Sequence, residues 1–352
     1  MYAKTVNRTA AQQTSLAKFI LCFTVILSGI GGARPLRAQT CRTQTLDLAS
    51  GWNAVWLEVA PEADSPAALF DGKPVDIVAA YTLPVSEAQF AKNAAVNMQV
   101  LAGWNVWYAP HRADASLSRL GRLSANAGYL VHALEATTLS VRGEVLPEQV
   151  RWTPNRFSFV GFSVAAAGAP TFKQFFQGSP AHNHNKIYRL ANGVWRQVLQ
   201  PDAEMLRSGE AFWIYSEGAS AYQGPLSVKG NSSLGLVLAD SVKGNVVFRN
   251  ATPHPLAFAL EQVTADGQAG IPLAAVISVA VSNMIGRVDA PVDFPDGAWR
   301  QDFPAFAAGG GLTLPLVLRV SDLPPGEHSG LLKVTTDLGT ETWLPVRASR
   351  EK

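Results

Sequence analysis

Hydrophobic and polar positions along this chain alternate in short runs broken by Gly, Pro, Asn and Ser, a pattern that predicts strands rather than long helices. Leu206-Arg-Ser-Gly-Glu-Ala-Phe-Trp-Ile-Tyr215 joins a polar, glycine-bearing turn to an aromatic and aliphatic strand, and Leu123-Ser-Ala-Asn-Ala-Gly-Tyr-Leu-Val-His132 has the same plan. The spacing extends the likeness. Trp52 aligns with Phe157, 105 positions on, and the same step takes Val55 to Val160, Val59 to Val164 and Phe70 to Phe175. Tyr81 meets Tyr188 at a step of 107, and Tyr129 meets Phe212 at a step of 83. The first copy therefore holds an excursion of roughly two dozen residues around Pro84–Ala102, where a surface loop absorbs it at little closure cost.

Each copy reads as an opening strand (Val55–Val59; Phe159–Val164), a short amphipathic helix (Ser65–Phe70; Thr171–Phe176), two further strands and a closing strand. The middle strands are Ile77–Tyr81 with Trp104–Tyr108, and Ile187–Leu190 with Gly193–Val198. The closing strands run on into Thr138–Val145 and Tyr222–Val228. Asn192-Gly193 predicts a two-residue hairpin. After the polar break Gly230-Asn-Ser-Ser-Leu234, seven apolar-alternating runs predict a sandwich: Leu236–Leu238, Val246–Arg249, Leu256–Val263, Ala274–Val281, Leu312–Val320, Gly330–Thr335 and Thr342–Val346. The expected fold is mainly β: two tandem divergent β-rich repeat modules (43–148 and 149–229) followed by an immunoglobulin-like β-sandwich (230–352), with a signal peptide at 1–38.

Two stretches carry a resemblance. Leu323-Pro-Pro-Gly326 leading into a strand, a glycine turn and a last strand ending Pro345-Val346 resembles the C-terminal hairpin of bacterial immunoglobulin-like modules of the BACON type. Asn245-Val-Val-Phe-Arg-Asn-Ala-Thr-Pro-His-Pro-Leu256 is similar to an early strand-turn-strand of such modules. The resemblance covers the last 115 or so residues and implies a non-catalytic spacer or binding module, with no catalytic residues carried over. Gly51-Trp52-Asn53, Gly103-Trp104-Asn105 and Gly128-Tyr129 resemble the Gly-Trp-Asn…Gly-Tyr-Trp-Val β modules of unassigned function found in secreted bacterial proteins. The second copy departs at its start, Arg156-Phe157-Ser158.

Composition narrows the partners. The 352 residues are 47% hydrophobic and only 16% charged, with a net charge of +2, so no strong field favours nucleic acid or an anionic membrane. Lys4, Arg8 and Lys18 precede an apolar run from Phe19 to Ile30, too short to span a bilayer, and then small residues. This is an export signal with cleavage expected after Ala38 (Ala33 is the rival), leaving an extracellular, surface or periplasmic protein with no membrane span. Cys22 leaves with the signal, and Cys41 stays behind without an internal partner, open to an intermolecular disulfide.

The candidate chemistry is sparse. His182 and His184 at i, i+2 could join a metal or a hydrolytic site, but Pro180 and the flanking Asn residues favour solvated loop histidines, so neither metal nor cofactor is expected. Ser158 and Ser163 lie on strands without a nucleophile elbow. Asp202, Glu204 and Glu210 have no spacing that sets two carboxylates face to face. Gly309-Gly310-Gly311 lacks the Lys-Ser/Thr ending of a phosphate loop. The aromatics remain. Trp104, Trp107, Trp195, Trp213 and Tyr215 are the candidate ligand-binding residues, either stacking on a polysaccharide or packing one module on the other. The expected function is a non-catalytic interaction or structural protein whose partner is a polysaccharide or another surface protein. The alternative is a secreted hydrolase with its site between the two modules.

Overall fold

The computed structural model describes residues 40–82, 103–147, 150–183, 186–238, 242–263, 270–280, 287–293 and 299–351. The expected export signal, the excursion at 84–102 and His184 fall outside these residues. The described chain is mainly β. Its first part contains β1 (Cys41–Leu48), β2 (Gly51–Leu57), β3 (Val59–Pro61), α1 (Pro66–Leu69), β4 (Val75–Tyr81), β5 (Trp104–Tyr108), β6 (Ala127–Ala133) and β7 (Thr137–Val145). Next come β8 (Arg156–Gly161), α2 (Phe172–Phe176), β9 (Ile187–Ala191), β10 (Val194–Gln197) and β11 (Ala211–Ser216).

Two four-stranded antiparallel sheets share one connectivity. The first runs β2-β6-β4-β5 and the second β8-β11-β9-β10. In both, a capped helix follows the opening strand. Ser65 accepts from the Ala68 N–H at α1, and Thr171 exchanges bonds with Gln174 in a capping box at α2. The register repeats as well: β2 pairs Trp52 with His132, and β8 pairs Phe157 with Tyr215, related by the steps of 105 and 83. The middle strands need a correction. Ala79 faces Leu130 as Tyr188 faces Trp213, so the step there is 109, and the counterpart of Tyr81 is Leu190. A shift of two keeps every side chain on its face, which is why the aromatic spacing misled by two residues without inverting the pattern. Trp104 and Trp195 then occupy equivalent places, opposite Tyr81 and Leu190. The Asn192-Gly193 turn closes Ala191 onto Val194 with φ of 51° and 75°, the left-handed pair that a two-residue hairpin needs.

Alternation sorts these strands into layers. On the first sheet Val55, Leu57, Val78, Trp107, Tyr129 and Val131 face a three-stranded sheet, β1-β7-β3, which supplies Leu46, Leu48, Leu139, Val141 and Val145. The opposite face, with Trp56, Ala79, Val106 and Leu130, packs on the second sheet. Behind the second sheet, Phe172, Phe175 and Phe176 of α2 cover Phe162 and Phe212. Burial of each large side chain stabilises by about 1.5–3 kcal/mol, and this stack of layers has no disulfide.

The C-terminal part is an immunoglobulin-like sandwich of β12 (Leu226–Lys229), β13 (Leu236–Leu238), β14 (Lys243–Asn250), β15 (Leu256–Val263), β16 (Leu273–Ala280), β17 (Arg287–Asp293), β18 (Arg300–Phe306), β19 (Gly311–Leu318), β20 (Gly326–Thr336) and β21 (Glu341–Arg350). One sheet runs β12-β14-β19-β16-β17 and the other β13-β21-β20-β15-β18, around a core that includes Phe248, Leu260, Leu316 and Leu332. Two differences from the sequence reading stand out. Leu226–Lys229 does not prolong the second module's closing strand; it pairs with β14 in the sandwich. β17 and β18 are additional strands, both at sheet edges; each contains a proline (Pro291, Pro304), as do the inner strands β19 (Pro315) and β21 (Pro345). Among the described residues no helix is long and apolar enough to cross a membrane.

Candidate functional site

The aromatic candidates are placed by the pleat. Trp213 stacks on Phe159 at 4.9 Å and meets Tyr81, Trp104 and Trp195 edge-on at 5.3, 6.4 and 6.3 Å. These rings fill the space between the two four-stranded sheets. Trp213 is 3% exposed and Trp195 4%, while Trp104 is half-buried at the margin of the layer. Trp107 points the other way, stacked on Phe70 at 6.0 Å and 8% exposed. Tyr215 is half-buried, edge-on to Phe157 at 5.2 Å, with the Lys186 ammonium 4.7 Å from its ring centroid. The five residues therefore do not form one exposed platform. Three are core, because a desolvated indole contributes more here than one left in water.

Close backbone contacts tie the sheets together. Gly161 backs directly on Trp56, and Gly128 backs on the Phe159 ring, where a Cβ would lie 2.8 Å from Cδ1. The Trp56 N–H donates to the Gly209 carbonyl at 2.8 Å, so the turn before β11 is bonded to β2. Here Arg189 clamps Glu210 through Nε at 2.9 Å and Nη2 at 3.1 Å, reaches the Met205 carbonyl at 2.7 Å, and lies over Phe172 and Phe212. Burial pushes the Glu210 carboxyl up, and Arg189 opposes that shift. Glu204 joins the same guanidinium at 3.4 Å, so Glu204 and Glu210 share a cation, while Asp202 approaches Lys173 at 3.8 Å. The carboxylates considered for glycoside cleavage are ion-paired structure.

Two histidines occupy defined places. His182 is buried at 2% exposure, not solvated as its Pro-Asn setting predicts. Its ring packs 4.1 Å from Trp152 and 4.8 Å from Phe176, and its Nδ1 meets the Ser179 hydroxyl at 2.6 Å. Nε2 is buried without a hydrogen-bond partner among the described residues, and burial holds the imidazole down to about 4, so it is neutral at physiological pH. The sequence reading failed because Pro180 starts a short 3₁₀ turn that tucks His182 under α2 instead of opening a loop. The second is His132. Its Nδ1 lies 2.6 Å from buried Asp76, which also accepts from Arg112 at 2.6 Å; Arg112 in turn chelates Asp114 at 2.8 and 3.0 Å. Trp52 sits edge-on to the ring at 5.1 Å. Sequence reasoning passed over this cluster because its members come from three separate strands and loops.

Cys41 lies on β1 at 5% exposure, and burial pushes its thiol up. No disulfide joins it to another described residue. No group of three or more His, Cys, Asp or Glu among the described residues could hold a metal.

A larger open space lies elsewhere. A cleft of about 520 Å³ separates the segment entering β8 from β12 and the loop after it, with Leu344 of β21 at its base. Its walls are built by local bonds. The Gln223 amide bonds both the N–H and the carbonyl of Val150, at 2.7 and 2.9 Å, and the Asn231 amide does the same for Val237, at 2.8 Å each. Gly235, at φ +106°, lies against the Pro345 carbonyl, a place only glycine fits. Arg151, Lys229, Ser227, Ser232 and Ser233 face this space. The sequence marked 230–234 only as a break; the cationic neighbour Lys229 was the available signal.

No family profile matches the chain, and no curated protein does. Among solved structures, the PapD-like domain 7 of human CEP192 is similar over 36% of this chain and 87% of its own, at 9% identity and a TM-score of 0.22. A protein described as BspA_C_mut is similar over 90% of this chain and 94% of its own (6% identity, TM-score 0.21). The CupB6 tip adhesin from Pseudomonas aeruginosa is similar over 88% and 90% (11% identity, TM-score 0.19). Scores this low carry no argument about architecture, so the fold stands on sheet order and burial alone.

Proposed function

We propose that the chain is an exported, non-catalytic interaction protein: two copies of one β module, packed by their equivalent faces into a stiff body, followed by an immunoglobulin-like module of the BACON type. The observation that carries this reading is the preformed cleft between the second module and the sandwich, within the size range of small-molecule sites and walled by hydrogen-bonded backbone. The aromatic layer gives rigidity rather than a stacking surface. Polysaccharide stays the favoured partner, now met at the cleft and not at the tryptophans. A glycan array with the exported protein, read together with a reducing-end assay, tests this: retention without product release supports it, and release of shorter sugars refutes it. N-terminal sequencing of the exported protein, starting at Gln39 or Arg34, tests the signal.

The hydrolase reading draws on a single observation, the Asp76–His132 pair. A carboxylate that orients an imidazole is one part of a nucleophilic site. Asp76 is also bound by Arg112, so the carboxylate is shared between the ring and a guanidinium. Loss of a hydrolytic activity in His132→Ala would establish this second reading.

A further inference from the structure

Resting on the interaction-protein reading, we infer that the cleft takes a short acidic oligosaccharide, one or two sugar rings bearing a carboxylate. Charge argues first. Arg151 and Lys229 are both exposed and face the space, and neither has an ion-pair partner among the described residues. A planar guanidinium and an ammonium on one cavity select an anion, and the guanidinium fits a carboxylate in two-pronged fashion.

Hydroxyl chemistry argues second. Ser227, Ser232 and Ser233 supply groups that both donate and accept, which suits the vicinal hydroxyls of a sugar. Gln223 and Asn231, by contrast, are spent on backbone and fix the walls. Apolar surface argues third: Pro147, Ala221 and Val228 offer a C–H face, and the described lining has no aromatic ring, so a nucleobase would find nothing to stack on. A simple anion such as phosphate would leave the hydroxyls and this apolar wall unused. The walls are set before binding, which reduces the ordering cost of a small ligand.

Calorimetry on the signal-free chain with di-galacturonate, a neutral hexose disaccharide and inorganic phosphate tests the assignment. The expected result is binding of di-galacturonate at least about tenfold tighter than of either other probe, the size of one charge-assisted contact. Raising salt from about 50 to about 200 mM should weaken it several-fold. Arg151→Ala and Lys229→Ala, both surface changes, should each weaken it about fivefold or more with an unchanged circular dichroism spectrum. A filled cleft, Ser232→Trp, should abolish it. Equal binding of the neutral sugar or of phosphate overturns the ligand class, as does no binding of di-galacturonate. Binding that survives all three variants overturns the cleft while leaving the interaction-protein reading intact; cleavage of the disaccharide overturns that reading itself.

Discussion

Trp56 lies against Gly161, the residue at the equivalent place in the second sheet: a Cβ on Gly161 would come within 2.5 Å of the indole Cγ and of the Glu210 carbonyl. Two positions that hold equivalent places in the two sheets, 105 residues apart, thus meet in the core, one as the largest side chain and the other with none. Such a contact is complementary only if the two sheets approach by the same face. Gly161→Ala should therefore overpack the interface and cost about 1–3 kcal/mol or more, seen as a lower urea midpoint. Trp56→Leu in that background should recover part of the loss. A Gly161→Ala protein with unchanged stability would mean that the sheets do not approach this closely.

His182 ties stability to pH. Its ring is neutral when folded, with a value near 4, whereas the unfolded chain titrates near 6.5. Between those values the unfolded state binds the extra proton, so stability is complete above about 6.5 and falls as pH drops towards 4. The loss is on the order of 3 kcal/mol. His182→Phe keeps the stacking on Trp152 and removes this contribution. The difference in unfolding free energy between the two proteins should shift in favour of the variant from pH 7 to pH 4.5; a constant difference would show that the imidazole is solvated.

Arg189 holds the turn that joins the modules. Arg189→Ala leaves the Glu210 carboxylate half-buried without its fork of donors and should cost about 1.5–3 kcal/mol. Arg189→Lys should rescue little, because one ammonium cannot reach both Glu210 oxygens and the Met205 carbonyl together. Thermal melts of the two variants check this, and full rescue by lysine would contradict the clamp.

The Cys41 thiol should react with a thiol reagent far more slowly in the native protein than in urea, by about a hundredfold or more, because attack requires local opening of β1. Rapid native labelling, or a dimer on a non-reducing gel, would show that the strand end is open.

Much of this architecture was legible in the residues, for definable reasons. Polar turns before aromatic strands marked β6 and β11, and Ser65 and Thr171 marked the helix starts, because capping and alternation are local effects. The strand step of 109 was not legible: sliding by two keeps Tyr81 and Tyr188 on the same face, so the pattern tolerates either register. Edge strands β17 and β18 were missed because they carry the charged and polar residues that blunt an edge. At the site, aromatic type located Trp213 but not its direction, which depends on what the opposing face supplies. The Asp76–His132–Arg112 cluster and the cleft are products of tertiary structure and left only faint marks in the chain.

The most direct test of whether the aromatic layer is core or platform is the unfolding free energy of Trp213→Ala, measured beside its binding to the polysaccharide that the native protein retains. Removing an indole enclosed by Phe159, Tyr81, Trp104 and Trp195 should cost about 3–5 kcal/mol and leave the affinity of the folded fraction unchanged. Unaltered stability together with lost binding would contradict the account at its centre.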